Sequence, residues 1–244
     1  MPAPVIAYCG PAAVPQDFWL RWNLDPVLLA ALGLIAVILV RGRSADARSG
    51  WGALALMVVI FVSPLCALAS ALFSARVLHH VLLIAAIAPL LARAFPAPRL
   101  PHPSLAALVG VHAVVLWLWH APGVYTWGLA TVPAYWLMQL TLLGTAWALW
   151  RGILAPTGET GPALLALVST VAQMGLLGAL IVFAPQPLYL VHLSSTAPWG
   201  IAPLADQQLA GLLMWVPAIL PYMGVGLWLA WTGLRPDGQG RQEL

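Results

Sequence analysis

The sequence predicts an all-α, polytopic membrane protein, a bundle of seven transmembrane helices with its N-terminus outside and its C-terminus in the cytoplasm. Three observations carry this expectation. Hydrophobic residues make up 62% of the 244 and charged residues only 7%, more apolar surface than a single water-soluble domain can bury. Seven segments approach the roughly 20 apolar residues that a hydrocarbon core requires. The arginines, finally, are divided very unevenly between the two sets of links joining those segments.

Residues 1–24 form an extracytoplasmic segment without the basic start and apolar core of a signal peptide, so the first helix is expected to act as its own insertion signal. That helix is predicted over 25–40, directly after WNLDP. The polar run RGRSADARSG (41–50) separates it from the second, over 52–72. The third is expected over 77–95, the fourth over 105–121, ending at WLWHAP, and the fifth over 134–150. The sixth covers 162–183 and the seventh 208–234, which closes the seven-helix domain (25–234); residues 235–244 form a cytoplasmic tail. Arg41, Arg43, Arg48, Arg93, Arg99, Arg151, Arg235 and Arg241 fall on one side, and only Arg21 and Arg76 on the other, which sets the orientation. All ten basic residues are Arg and they are spread over the links, so the chain has lipid and not nucleic acid for a partner.

With that orientation, the polar residues of the helices gather at their outer ends. His79 and His80 lie in the first turn of the third helix, His120 closes the fourth, and Cys66 lies in the outer part of the second. Asp206, Gln207 and Gln208 open the seventh, with Met214 two turns deeper on nearly the same face as Gln207. Ionisable groups near membrane helices are costly, which makes the cluster a candidate site. Imidazole suits copper, and a soft sulfur from Cys or Met beside it suits Cu(I). The candidate copper ligands are therefore His80 and His120, joined by His79, Cys66 and Met214.

Each of these residues also has a structural reading. A first-turn His can sit among headgroups; Met214 and Met174 can simply pack; Cys66 can be a small buried residue, and Cys9 a free thiol or its disulfide partner. Trp117, Trp119 and Trp127 read as an aromatic belt, His112 as a structural hydrogen-bonding residue, His102 as solvated, and His192 as a surface residue or else a mobile ligand in the outer link. Asp206 reads as the N-cap of the helix it precedes. The glycines at 175 and 178 read as sites of close helix packing. No hydrolase ordering, HExxH, GxGxxG or P-loop appears, so an enzyme is not expected. A transporter lacks the expected internal repeat, and a haem carrier would need two of these histidines as axial ligands.

The motifs WNLDP (22–26), FSARVLHHVLL (73–83), AIAPLLARAFPAP (86–98), WLWHAPGVY (117–125), LLGALIVFAPQPLY (176–189) and DQQLAGLLMWVP (206–217) run the length of the chain. Together they resemble the CtaG family of cytochrome c oxidase assembly factors. The resemblance implies a seven-helix protein of the bacterial inner membrane that helps mature an aa-type oxidase, has the oxidase subunits as partners, and handles copper at its outer face. The alternative is a metal-free accessory or scaffold subunit of a respiratory complex. The resemblance also implies an H-x-x-x-H pair in the third helix and another in the fifth. In this chain Arg76 takes the first position and His80 the second, with His79 where the family has Gln, while Tyr135 and Gln139 occupy the fifth-helix positions. His80 and His120 are what remains of the expected imidazole set.

Overall fold

The computed structural model describes residues 8–96, 103–155 and 159–234, and every regular element among them is helical. His102, Arg99, Arg235, Arg241 and the tail 235–244 lie outside the described residues. The helices are α1 (Pro26–Val40), α2 (Ala47–Met57), α3 (Leu65–Ala71), α4 (Phe73–Val81), α5 (Ala88–Ala94), α6 (Leu105–His120), α7 (Pro122–Ala130), α8 (Val132–Ile153), α9 (Thr160–Val182), α10 (Pro203–Trp215) and α11 (Ile219–Gly233). Wide π turns at Val58–Val62 and Leu82–Ile87 extend α2 and join α4 to α5.

Local sequence explains where most of them start. Asp25, Asp46, Ser104 and Thr131 each accept a hydrogen bond from a backbone N–H three residues on, the usual N-cap arrangement. Prolines set the breaks. At Ser63–Pro64 the missing proline N–H ends the π turn, and the path bends by 48° into α3. Pro122 drives Ala121 into extended geometry and turns the chain by 77° into α7.

All seven segments read from the sequence fall on helix, but their ends and continuity differ. The second is bent at Ser63–Pro64, the third begins at Phe73, and the seventh begins at Pro203 and loosens at 216–218 before α11. The link between the fourth and fifth segments holds a nine-residue helix, α7. By length and apolarity three helices can cross a membrane: Phe73–Ala94, Thr160–Val182 and Pro203–Gly233, or up to five spans if each bent pair counts as one. The 22-residue α8 has the length but carries Gln139, Thr141, Thr145 and Arg151.

In the bundle α10 packs between α9 and α4, α8 lies against α5 and α6, α2 against α5, and α11 on α9. The core is continuous, from Leu28 and Ile60 through Leu83, Leu116, Met138 and Trp150 to Tyr222. Outward faces carry exposed Leu, Val and Trp, such as Leu220, Leu227, Trp228 and Trp231 on α11, as suits helices immersed in lipid.

Residues 8–24 cross the end of the bundle that bears most of the histidines. A disulfide joins Cys9 to Cys66, the Tyr8 ring stacks on Tyr135 at 4.8 Å, and Asn23 donates to the carbonyl of Phe61. Trp199, from the link between α9 and α10, donates to the carbonyl of Ala13. Asp17 and Arg21 pair with each other at 2.6 Å. At the opposite end Arg93 reaches Asp46, and Ala45 donates to the carbonyl of Ala94, binding the first link to the end of α5.

Candidate functional site

Most polar side chains at the histidine-bearing end close off helix termini. Asp206 is not the cap of its own helix, which begins at Pro203. It sits buried in the first turn of α10 and accepts from Phe73 N, Ser74 N and the Ser74 hydroxyl, so it caps the start of α4 across the helix interface. Leu72 stands at the N-cap position of α4 with no side-chain acceptor, which is why an outside carboxylate is needed there. Gln207 donates to the carbonyl of Ile181 near the end of α9 and accepts from Leu188 N. Tyr189 donates to the carbonyl of His120 at the end of α6.

His192 is a correction of the same kind. The sequence placed it on the surface, but it is buried, because its ring serves the end of α3. Its Nδ1 donates to the carbonyl of Ala71, which Ser195 also caps, and its Nε2 accepts from the Tyr125 hydroxyl at 2.7 Å. Burial, then the charge of Arg76, push the His192 imidazole down from 6.5 to about 4. Trp119 is likewise buried instead of lying in an interfacial belt, with its indole N–H on Thr141 and its ring stacked on exposed Trp127. His112 makes the expected structural bond, to Thr145.

Once these capping and packing roles are set aside, Arg76, His79, His80, His120, Tyr135 and Gln139 remain. His80 and His120 do approach each other, with ring centroids 6.1 Å apart and planes at 78°. Nδ1 of His120 donates to the carbonyl of Leu116 one turn back, which fixes the ring and leaves Nε2 as the nitrogen with the lone pair. Gln139 donates its amide to Nε2 of His80 at 3.3 Å. His79 lies 5.9 Å from His80 and edge-on to Phe61, with neither ring nitrogen hydrogen-bonded. Arg76 is 0% exposed and lies over the Tyr135 ring, 5.3 Å from its centroid. Arg76 thus meets Tyr135 and His80 meets Gln139, two layers one helical turn apart between α4 and α8.

The other two candidate ligands lie elsewhere. Cys66 is bonded to Cys9, so in this oxidised form its sulfur is no thiolate and the expected soft ligand is missing; the alternative of a disulfide partner is the one realised. Met214 is buried at the crossing of α9 and α10, packed beside Gly178. Among the described residues no group of three or more His, Cys, Asp or Glu is placed to hold a metal ion. Gln139 and the buried His192 are the residues whose partners the sequence did not show. Gln139 stands four residues after Tyr135, the signal that both share a helix face, whereas nothing local marks His192 as buried.

No curated protein and no solved structure is detectably similar to the chain. Residues 34–235, covering α2 to α11 and the second half of α1, match the family described as cytochrome c oxidase caa3 assembly factor (Caa3_CtaG). The matched stretch holds the pairing of α4 with α8 and the approach of His80 to His120. The chain belongs to the caa3-type cytochrome c oxidase assembly factor family.

Proposed function

We propose that the chain is a multi-pass protein of a bacterial inner membrane that helps assemble an aa-type cytochrome c oxidase, engages the oxidase subunits, and carries copper at its outer face. Family membership supports the assembly role. The single observation that carries copper is the meeting of His80 and His120, where His120 keeps Nε2 available for a ligand. Cu(I) accepts imidazole ligation at low coordination number, and a seat with few donors suits an ion that must be handed on. His80 would have to exchange its bond to Gln139 for the ion.

The test is Cu(I) competition with a chromophoric chelator on the reconstituted chain. One equivalent should bind, and H80A and H120A should each weaken it by about tenfold or more, as loss of one of two ligands implies. A chain that holds no copper after reconstitution ends the copper reading.

Arg76 favours a second reading. A fixed cation four residues from His80, on the same helical face, opposes a copper ion there, and Asp206, bound to the start of α4, forms no ion pair with it. On this reading the chain is a metal-free accessory or scaffold subunit. Co-purification with the mature oxidase at fixed stoichiometry, with no copper of its own, would distinguish it.

A further inference from the structure

The buried guanidinium of Arg76 carries an inference independent of copper. Its Nε donates to the carbonyl of Ala69 at 3.1 Å, but neither Nη1 nor Nη2 has a hydrogen-bond acceptor. The Tyr125 and Tyr135 hydroxyls lie close by, outside hydrogen-bonding geometry. Among the described residues the ion pairs are Arg21 with Asp17 and Arg93 with Asp46, so no carboxylate is paired with Arg76. Arginine does not shed its proton, so the charge stays. Leaving a cation in a low-dielectric interior without a counter-charge is among the costliest arrangements a fold can hold.

The groups around it are short of acceptors too. Both nitrogens of His79 and Nδ1 of His80 are buried without partners. Tyr125 already donates to His192. The Tyr135 hydroxyl is 3.7 Å from the disulfide sulfur of Cys9 and also lies beside Arg76. Asp206, the buried acid of this end, is saturated by Phe73 and Ser74.

We propose that Arg76 is the anchor of a buried site for a small monocarboxylate anion, held by Nη1 and Nη2 between α4 and α8 and roofed by residues 8–24. The two terminal nitrogens of a guanidinium match the two oxygens of a carboxylate as a planar fork. One guanidinium pairs one carboxylate, and with Arg21 spent on Asp17 and Asp206 adding a negative charge of its own to this end, a dianion is disfavoured. Burial selects a small, free ligand: Arg76, His79, His80, Tyr125 and Tyr135 are all 2% exposed or less, which leaves no opening for a polypeptide or a lipid headgroup. The ligand would enter by displacement of the segment bearing Tyr8 and Cys9, which lies on Tyr135 and is fastened at Cys66.

The test uses the full-length chain in detergent or nanodiscs, without added copper, and follows thermal unfolding during titration with sodium formate, acetate, chloride and sulfate at constant ionic strength. Saturable stabilisation by formate or acetate is expected, with weaker effects of chloride and sulfate. R76Q should raise the apparent Kd by about tenfold or more, the value of a charge-assisted fork. R76K, which keeps the charge and loses the fork, should fall between, and serves if R76Q does not fold. Saturation transfer from the protein to the formate proton, lost in R76K or R76Q, gives a readout independent of stability. The site is disproved if formate gives no saturable shift, if chloride or sulfate stabilises as strongly, or if the effect survives R76Q.

Discussion

Asp206 shows how far one side chain can act from its own helix. Three buried donors, Phe73 N, Ser74 N and the Ser74 hydroxyl, end on its carboxylate. Each costs about 1–3 kcal/mol when left unpaired. D206A should therefore lower stability by at least about 3 kcal/mol, and D206N by less, since its amide oxygen still accepts. Thermal unfolding in detergent checks this, and an unchanged midpoint in D206A would refute the cross-helix cap. The sequence hid this role because an acid near a helix start reads as that helix's own cap; the readable sign was the opposite one, Leu72 opening α4 with no acceptor. His192 gives a pH prediction. Its folded pKa of about 4 lies below the ordinary 6.5, so between these values the unfolded chain binds more protons than the folded one. Its contribution is complete above 6.5 and is lost as pH falls toward 4. The drop in unfolding midpoint from pH 7 to pH 4.5 should be smaller in H192Q than in the unaltered chain; equal drops would show that His192 is not part of the acid response.

At the scale of elements, long apolar runs made the helices legible, whereas hydropathy is blind to direction. It could not show the 48° bend at Ser63–Pro64, nor that GVYTWGLA, too short to span, coils into α7. Close approach was half legible. Gly178 does sit where α9 meets α10, with the carbonyl of Gly211 3.0 Å from where a Cβ would be, but Gly175 has only ordinary contacts at 3.7 Å. The tighter position is Gly211, where a Cβ would lie 2.7 Å from the carbonyl of Gly178 and 2.5 Å from Val182 Cγ2. Val182 can turn its methyl away; a backbone carbonyl in a packed helix cannot. G211A should thus push α10 off α9 and cost about 1–3 kcal/mol, while G226A, with contacts no nearer than 3.7 Å, should be close to neutral. Equal midpoints for the two variants would contradict the close crossing. Because α10 also carries Asp206, the same displacement should loosen the start of α4, the helix that holds Arg76 and His80.

For the whole molecule, spacing along the chain could nominate His80 and His120 but could not bring them together, because the lateral order of helices is set by packing between segments far apart in sequence. The disulfide adds a constraint that the arginine count lacks. Cys9 and Cys66 lie at the end where Asp206, His120 and His192 gather, and a structural disulfide persists in an oxidising compartment, which the cytoplasm is not. Arg41, Arg43, Arg48, Arg93 and Arg151 lie in or beside the links of the opposite end, the side that positive charge assigns to the cytoplasm. Redox poise and charge retention during insertion, two unrelated forces, both support the proposed orientation, which requires an odd number of crossings between Tyr8 and Leu234. Alkaline phosphatase, active only outside the cytoplasm, should be active when fused after Thr131 or Gly200 and inactive when fused after Gly42 or Leu234, with green fluorescent protein giving the reverse. Activity after both Gly200 and Leu234 would mean that α10 and α11 return to the side they left, as a re-entrant pair broken at 216–218, and the count of seven spans would fail there.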